Sequence, residues 1–395
     1  MPDSKLRIAR SVDQAIVRHA NERAVLTEIA LSPHLSAAAI AKRLRLAPQT
    51  VGRIVGDLVE SGLVQLGETV AAGPGKPSTP LYTAHNAAFA IGCEIGLEHC
   101  ELVLLNFRGA VLGSHRWSYG PVEPAVVLRQ VVSLVELLCN IVPQTERSRI
   151  MGMALASPAA LASQLGQMGA SEHIVRQWAE IDLAAALGDA TGLAITRYAQ
   201  GSAACWGEMA KLDAPRPGRI SYFLLSTFVV AGVVAQGRLL DGGAADLGAS
   251  LVPNAHGQFE PLHAVAGLQA VLRAPLAQSV ATLGSDPMAW DWPALEAVVA
   301  PWIADAGKAL AVAAANAAAC AGCQLAIIDG ALPVAVIDRL VAATRAHLET
   351  LPAIQIQVQA GRAGIAAPAT GAAALLLYRT YFSGEWEHFP ADARV

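Results

Sequence analysis

Three polar residues near the start of a short predicted helix could pair with the edges of nucleic-acid bases. Gln49, Thr50 and Arg53 follow Pro48, whose fixed backbone angle and missing N–H suit the first turn of a helix. A glutamine side chain can pair with adenine and an arginine with guanine, and each pair discriminates by about 1–3 kcal/mol. We therefore interpret these three residues as candidate base-reading groups.

Basic residues flank that helix on both sides. Lys42, Arg43 and Arg45 precede it, and Lys76 lies in a loop rich in glycine and proline that follows it. Cations placed in this way bind phosphates and give affinity without sequence information, and a flexible basic loop can enter a minor groove or follow the backbone. Residues 1–85 carry a net charge of +3 and the remainder carries −7. The basic N-terminal segment is the expected nucleic-acid contact.

The elements that must position these residues follow the order of a winged helix-turn-helix. The apolar spacing predicts three helices, with Ser36 as the N-cap of the second, at 12–30, 37–44 and 48–60. Gly62 suits a left-handed C-cap, and short strands are predicted at 63–66 and 81–83 on either side of the loop. A three-helix bundle with solvated charges is the alternative interpretation.

Beyond residue 88 the pattern changes to alternating strands and helices. It predicts strands at 88–96, 100–106, 110–117 and 150–156, and a long helix at 122–142. The prediction is an α/β body with two lobes. We divide the chain into a winged helix-turn-helix domain at 1–84 and a two-lobed body at 85–395. Lobe one covers about 85–200 plus 370–395, and lobe two covers about 201–369.

Composition favours a cytoplasmic protein. Hydrophobic residues make up 54% of the chain and charged residues 15%, but the apolar segments are alanine-rich runs interrupted by polar residues. We predict no membrane span and no secretion signal. The six cysteines do not form a disulfide framework, and Cys320 and Cys323 have no second ligand pair at metal-site spacing. We predict no metal site.

Motifs along nearly the whole chain resemble the ROK family of repressors, open reading frames and kinases. The segments that carry the resemblance are Asn-Glu-Arg-Ala-Val-Leu at 21–26, Gly-Lys-Pro at 75–77, Ile-Gly-Cys-Glu-Ile-Gly at 91–96, Gly-Met-Ala-Leu-Ala-Ser-Pro at 152–158, Ala-Ala-Cys-Trp-Gly-Glu at 203–208, Ile-Ile-Asp-Gly-Ala-Leu at 327–332 and Ala-Thr-Gly-Ala-Ala-Ala at 369–374. The resemblance implies an actin-like, sugar-kinase fold with two α/β lobes around a cleft. It also implies a sugar-responsive dimer or tetramer.

The departures from the family kinases argue against phosphoryl transfer. The kinase phosphate loop, Asp-x-Gly-Gly-Thr, is replaced by a segment from Glu94 to Glu98, and a carboxylate there repels a phosphate tail. Phe228 and Val230 stand in the second, normally glycine-rich loop. Gln200 replaces the catalytic aspartate, and an amide does not take up a proton near neutral pH. We therefore expect a body that is not an enzyme and needs no cofactor.

The effector site implied by the resemblance is also altered. In the family, a set of polar residues binds sugar hydroxyls, and a histidine with a cysteine cluster binds zinc. The corresponding positions of this chain hold Ala199, Gln200, Asp246, Ala249 and His263, and the cysteine cluster is absent. The candidate effector-binding residues are Ser157, Gln200, Asp246 and His263. The alternative is a cleft that has closed into ordinary packing.

The expected function is that of a DNA-binding transcriptional regulator acting as a repressor. A homodimer or homotetramer would place two heads on a pseudo-palindromic, double-stranded operator and respond to a small molecule such as a sugar. Two alternatives stay open. One is an ATP-dependent sugar kinase with an accessory DNA-binding head, and the other is a body that serves only to dimerise the head.

Overall fold

The computed structural model describes most of the chain, and two predicted site residues, Lys76 and Asp246, lie outside the described residues. The described ranges are 3–69, 79–212, 216–236, 238–239, 247–273, 286–351 and 354–383.

The N-terminal domain is a winged helix-turn-helix, which confirms that part of the predicted fold. The first helix begins at Asp3, before the predicted residue 12. The elements are α1 (Asp3–Leu31), α2 (Ala37–Leu44), α3 (Pro48–Glu60), β1 (Val64–Leu66) and β2 (Leu81–Thr83), the two strands pairing antiparallel.

Local chemistry accounts for the helix boundaries in this head. Ser36 caps α2, its hydroxyl accepting a hydrogen bond from the Ala39 N–H at 3.4 Å. Arg45 ends α2 in the left-handed region with φ of 54°, and this allows the chain to turn within three residues into α3. Gly62 follows α3 with φ of 72°, a conformation that glycine adopts without steric cost.

The first lobe of the body is a five-stranded sheet in the order β5-β4-β3-β6-β7, in which β3, β6 and β7 are parallel and β3, β4 and β5 are antiparallel. Its elements are β3 (Phe89–Ile95), β4 (His99–Asn106), β5 (Val111–Ser118), α4 (Pro124–Ile141), β6 (Ile150–Ser157), α5 (Leu161–Gln167), α6 (Glu172–Glu180), α7 (Leu183–Thr191), β7 (Ile195–Ala199) and α8 (Gln200–Lys211).

The second lobe repeats this arrangement with the order β10-β9-β8-β13-β14 and with parallel pairing on one side of β8 and antiparallel pairing on the other. Its elements are β8 (Arg219–Leu225), β9 (Val229–Ala235), β10 (Arg238–Leu239), β11 (Leu251–Pro253), β12 (Phe259–Pro261), α9 (Leu262–Ala266), α10 (Leu268–Leu272), α11 (Glu296–Ala321), β13 (Leu325–Gly330), α12 (Val334–Leu348), β14 (Gln357–Ala360) and α13 (Ala367–Tyr381). The prediction of a two-lobed α/β body is confirmed.

Strand β3 is buried on both faces, and its alternation places a polar residue in the cleft. Ile91 and Cys93 face the core under α4, whereas Ala90 faces the core under α13. On that second face Gly92 leaves room for α13, because a Cβ there would lie 1.9 Å from the Ala369 carbonyl oxygen. The next residue on the same face, Glu94, reaches the end of the strand with only 1% of its surface exposed.

Helices α8 and α13 cross at a separation that only glycine permits. A Cβ at Gly371 would lie 1.8 Å from the carbonyl oxygen of Ala203, and one at Gly207 would lie 2.4 Å from that of Ala367. Because neither backbone can give way without unwinding its helix, the two helices are held as one unit.

Two helices, Pro124–Ile141 and Glu296–Ala321, are long and apolar enough to cross a membrane by length and composition. Both contribute side chains to the hydrophobic cores of their lobes, which is the ordinary use of apolar helices in an α/β fold.

Candidate DNA-binding surface and interlobe cleft

Helix α3 divides cleanly into a buried face and an outward face. The buried face packs in the head through Val51, Ile54, Val55 and Leu58, and the outward face carries Gln49 and Arg53, both exposed and one turn apart. Thr50 is half-buried between the two faces. Gly52 and Gly56 complete the outward face, and a Cβ built at either would meet no atom within 4 Å. The outward face therefore carries polar side chains at its N-terminal end and is bare, without a side chain, at the two glycines.

Three cations near this face are available for phosphates. Lys42, Arg45 and Arg53 are exposed, and none forms an ion pair in the part of the chain that the structure describes. Arg43 differs, because its guanidinium donates to Glu28 at 2.5 Å and to the Ser32 hydroxyl at 2.6 Å. Arg43 thus braces α2 against α1, and its phosphate contact stays a prediction.

In the body, polar residues meet at the edge where β3, β6 and β7 end. Ser157 is the last residue of β6 and pairs in register with Ala199, which immediately precedes Gln200. The Gln200 amide donates a hydrogen bond to the buried Glu94 carboxylate, with 2.5 Å between Nε2 and Oε1. Two predicted effector residues, Ser157 and Gln200, are therefore neighbours, and the Gln200 side chain bonds to a residue of its own lobe.

A hydrogen bond also joins the two lobes across the cleft. Glu98, in the turn between β3 and β4, accepts from the Thr227 hydroxyl in the turn between β8 and β9, at 2.7 Å. Both turns are fixed by other contacts, since Tyr119 donates its N–H to the Glu98 carbonyl and Gln269 donates its N–H to the Thr227 carbonyl. The lobes thus meet at two turns held in place by backbone hydrogen bonds.

His263, the predicted effector residue of the second lobe, lies on α9 beside a buried aromatic ring. Its imidazole contacts Phe228 edge to face, with 5.6 Å between ring centroids. Phe228 is 2% exposed, and Val230, on β9, is half-buried, so apolar side chains stand at and just after the second turn.

Two other buried carboxylates serve as backbone anchors. Glu208 accepts from the N–H groups of Arg362 and Ala363, and Asp329 accepts from the Gly364 N–H at 2.7 Å and the Tyr222 hydroxyl at 2.9 Å. Burial raises the pKa of the Glu208 carboxyl, and the two N–H groups partly offset this effect. These acids hold the segment that leads into α13.

Sequence reasoning missed the pairing of Glu98 with Thr227 and the position of His99. The imidazole Nε2 of His99 lies 3.4 Å from the second oxygen of Glu94, at the same edge as Gln200. The two interlobe partners are separated by 129 positions, so no local pattern in the sequence could join them.

Comparison with known proteins adds independent observations on both parts of the chain. The profile of the MarR family matches residues 19–73, which lie in the head. The xylose repressor of Bacillus spizizenii is 21% identical over 235 residues, and that of Bacillus subtilis 168 is 20% identical over the same length. Each alignment covers 58% of this chain and 59% of the repressor.

Solved structures match the whole architecture. A ROK family transcriptional regulator, homologous to the E. coli MLC protein, superposes with a TM-score of 0.64 at 19% identity, covering 94% of this chain and 98% of that one. A ROK family glucokinase from Streptomyces griseus gives a TM-score of 0.56 at 15% identity, covering 73% of this chain and 99% of the glucokinase. The regulator therefore matches head and body, and the kinase covers a smaller share of this chain.

The fold that the sequence resemblance implies is confirmed: the chain combines a winged helix-turn-helix head with a two-lobed body that is similar to the solved ROK family structures.

Proposed function

We propose that this protein is a DNA-binding transcriptional regulator that acts as a repressor. The observation that carries the proposal is the outward face of α3, where Gln49 and Arg53 project from the helix that a helix-turn-helix inserts into the major groove. Lys42 and Arg45, which form no ion pair with any described residue, stand beside it for the phosphates. The similarity to two xylose repressors supports the same function.

The body binds an effector in place of catalysing a reaction. At the cleft edge, Gln200 has no group that can accept a substrate proton, and the Glu98 carboxylate opposes a phosphate at the interlobe turn. The Gln200 amide oxygen is buried and has no hydrogen-bond partner among the described atoms, whereas the second Glu94 oxygen lies 3.4 Å from His99 Nε2. An unpartnered acceptor favours a ligand that donates hydrogen bonds, such as the hydroxyl groups of a sugar, with Ser157 and His263 as further contacts.

The protein is a cytoplasmic homo-oligomer in this proposal, and two heads bind a pseudo-palindromic operator. Lys76 and Asp246, outside the described residues, are assigned to the wing contact and the effector cleft by their place in the sequence alone.

Selection of genomic fragments by the purified full chain tests the DNA-binding function. The expected result is a short set of fragments that share an inverted repeat, and the Arg53→Ala variant should lose these fragments while keeping its weak binding to random DNA. Equal loss on both kinds of DNA would remove Arg53 from the base-reading role. Failure of the wild type to select any fragment would contradict the proposal.

A thermal-unfolding titration with Mg-ATP and with hexoses tests the absence of kinase function. We expect a rise in unfolding temperature with an aldose or a related polyol alone, and none with Mg-ATP. Saturable stabilisation by Mg-ATP together with phosphate transfer to a hexose would restore the kinase alternative.

A further inference from the structure

The DNA-binding head and the body share one hydrophobic core. Val25 and Ile29 of α1 belong to the same buried cluster as Phe107 of the first lobe and Leu377 and Phe382 at the end of α13. Phe107 stacks on Phe382 with 5.4 Å between ring centroids. Apolar packing of this kind resists separation of the two parts, and the hydrophobic effect behind it is non-directional.

Hydrogen bonds supply the direction. One lies beside the linker, where the Arg108 guanidinium of the first lobe donates to the Thr83 carbonyl of β2 at 2.9 Å, and others start from Arg23 on α1. The Arg23 guanidinium, on α1, donates through Nε to the Phe382 carbonyl oxygen at 2.7 Å and through Nη2 to the same oxygen. Its Nη2 also lies 3.5 Å from the Tyr378 carbonyl oxygen. The Tyr378 carbonyl also accepts the Phe382 N–H at 3.0 Å, and the Phe382 carbonyl lies just past the end of α13. The negative end of the helix dipole favours a cation there. Arg23 therefore caps the C-terminal end of α13.

A second contact lies one turn further along the same face of α1. The Ser383 N–H donates to the buried Thr27 hydroxyl at 2.9 Å, just after the end of α13. Arg23 and Thr27 are four residues apart and so share one side of the helix. Two polar contacts on one face, added to the apolar core, fix both the position and the rotation of α1 on α13.

Helix α13 runs from this clamp to its crossing with α8. Its N-terminal half crosses α8 closely at Gly371 and Gly207, and near the clamp Trp206 of α8 packs on Tyr378 with 4.8 Å between ring centroids. Helix α8 begins at Gln200, which bonds to Glu94 at the cleft edge. A continuous rigid path therefore joins the cleft edge, α8, α13 and the helix that supports the recognition helix.

We propose that Arg23 is the positioning residue that fixes the orientation of the DNA-binding head on the body, through its cap on the carbonyls of Tyr378 and Phe382. This inference rests on the proposed function, because its consequence is the spacing between the two half-sites that an oligomer binds. With the heads held at a set angle, only half-sites on the matching side of the duplex are bound together. A loosened head tolerates other spacings.

The variants for the test are Arg23→Ala, Arg23→Lys and a matched control, Arg18→Ala, all in the full chain. Arg18 lies on the same helix and carries the same charge, but it pairs with Glu22 and Asp57 inside the head. Lysine keeps the charge of Arg23 without the planar fork that engages two carbonyls.

Hydrogen exchange read by mass spectrometry tests the clamp without any DNA. Amides of the 378–383 segment should exchange about tenfold faster in Arg23→Ala, less so in Arg23→Lys, and at the wild-type rate in Arg18→Ala. Unchanged exchange in Arg23→Ala would overturn the clamp, whatever the fate of the proposed function.

Binding to duplexes tests the consequence for orientation. The probes are a fragment selected by the wild type and the same fragment with about 5 base pairs, half a helical turn, inserted between the half-sites. We expect the wild type and Arg18→Ala to bind the selected fragment and not the lengthened one. Arg23→Ala should bind both fragments with similar affinity, and its affinity for one isolated half-site should be unchanged. If Arg23→Ala exchanges faster but still rejects the lengthened fragment as the wild type does, the positioning role is refuted. If the wild-type protein selects no fragment at all, only the proposed function is refuted.

Discussion

Replacing the two outward glycines of α3 by alanine should stabilise the head and weaken its binding to DNA. A Cβ at Gly52 or Gly56 meets no atom of the chain within 4 Å, so the change costs nothing in packing. Glycine inside a helix is about 1 kcal/mol less favourable than alanine, and the double variant should therefore gain about 2 kcal/mol in the stability of α3. On the DNA side, two added methyl groups hold the helix away from the groove and lengthen the hydrogen bonds from Gln49 and Arg53.

The loss in specific affinity should reach about tenfold or more, since one weakened bidentate contact is worth 1–3 kcal/mol. All seven tryptophans lie beyond residue 84, so fluorescence does not report on the head, and hydrogen exchange of the α3 amides is the appropriate stability assay. A matched control is Gly62→Ala, where φ of 72° makes alanine strained and the sign of the stability change reverses. Unchanged affinity for the selected fragment in the Gly52→Ala/Gly56→Ala protein would refute the reasoning that α3 approaches DNA through its bare face.

Three further predictions concern the recognition helix, the cleft and the thiols. Arg53→Ala should lower specific affinity by about 10- to 100-fold in a gel-shift titration and relax the preference at one base pair, whereas Lys42→Ala should weaken all duplexes alike. Glu98→Ala and Thr227→Val should each free the lobes to separate, which small-angle scattering would detect as an increased radius of gyration and mass spectrometry as faster exchange in both turns. Brief alkylation at pH 7.5 should label Cys320, the exposed thiol, ahead of the buried ones, because burial raises the pKa of Cys323 to about 11 and that of Cys100 to about 12.

Each of these three predictions can be contradicted by a specific result. A uniform loss with Arg53→Ala would make that side chain a phosphate ligand. An unchanged scattering profile in both cleft variants would mean that other contacts hold the lobes together. Labelling of Cys205 or Cys93 in the folded protein would contradict the burial that raises the pKa of both thiols.

The head was predictable from the sequence because its signals are local. Ser36, Pro48 and Gly62 mark the ends of its helices through caps and backbone angles that depend on a few neighbouring residues. The apolar face of α3 was likewise readable from a period of 3.6 residues. The start of α1 at Asp3 was missed, because the prediction began this helix at residue 12.

The body was predictable in its alternation of strands and helices, but its polar contacts were not. Glu94 and Gln200 meet because β3 and β7 end at the same edge of one sheet, on either side of β6, and their sequence separation is 106. The cap of Arg23 on Phe382 spans 359 positions and depends on where the last helix ends relative to the first. Contacts of this kind depend on the topology of the chain, and a single sequence indicates its topology only through resemblance to a known fold. The assignment of Ser157 and His263 to an effector, and the division of the chain at residue 84, stay predictions.

The central claim is that α3 reads a DNA sequence, and a salt-dependent binding comparison tests it most directly. The wild type and the Gln49→Ala/Arg53→Ala variant would be titrated with the selected fragment and with a scrambled duplex of equal length, at about 50 mM and 200 mM salt. We predict that the wild type prefers the selected fragment at both salt concentrations and that the variant binds both duplexes equally with a steep salt dependence. A variant that keeps the wild-type preference at 200 mM salt would contradict the account.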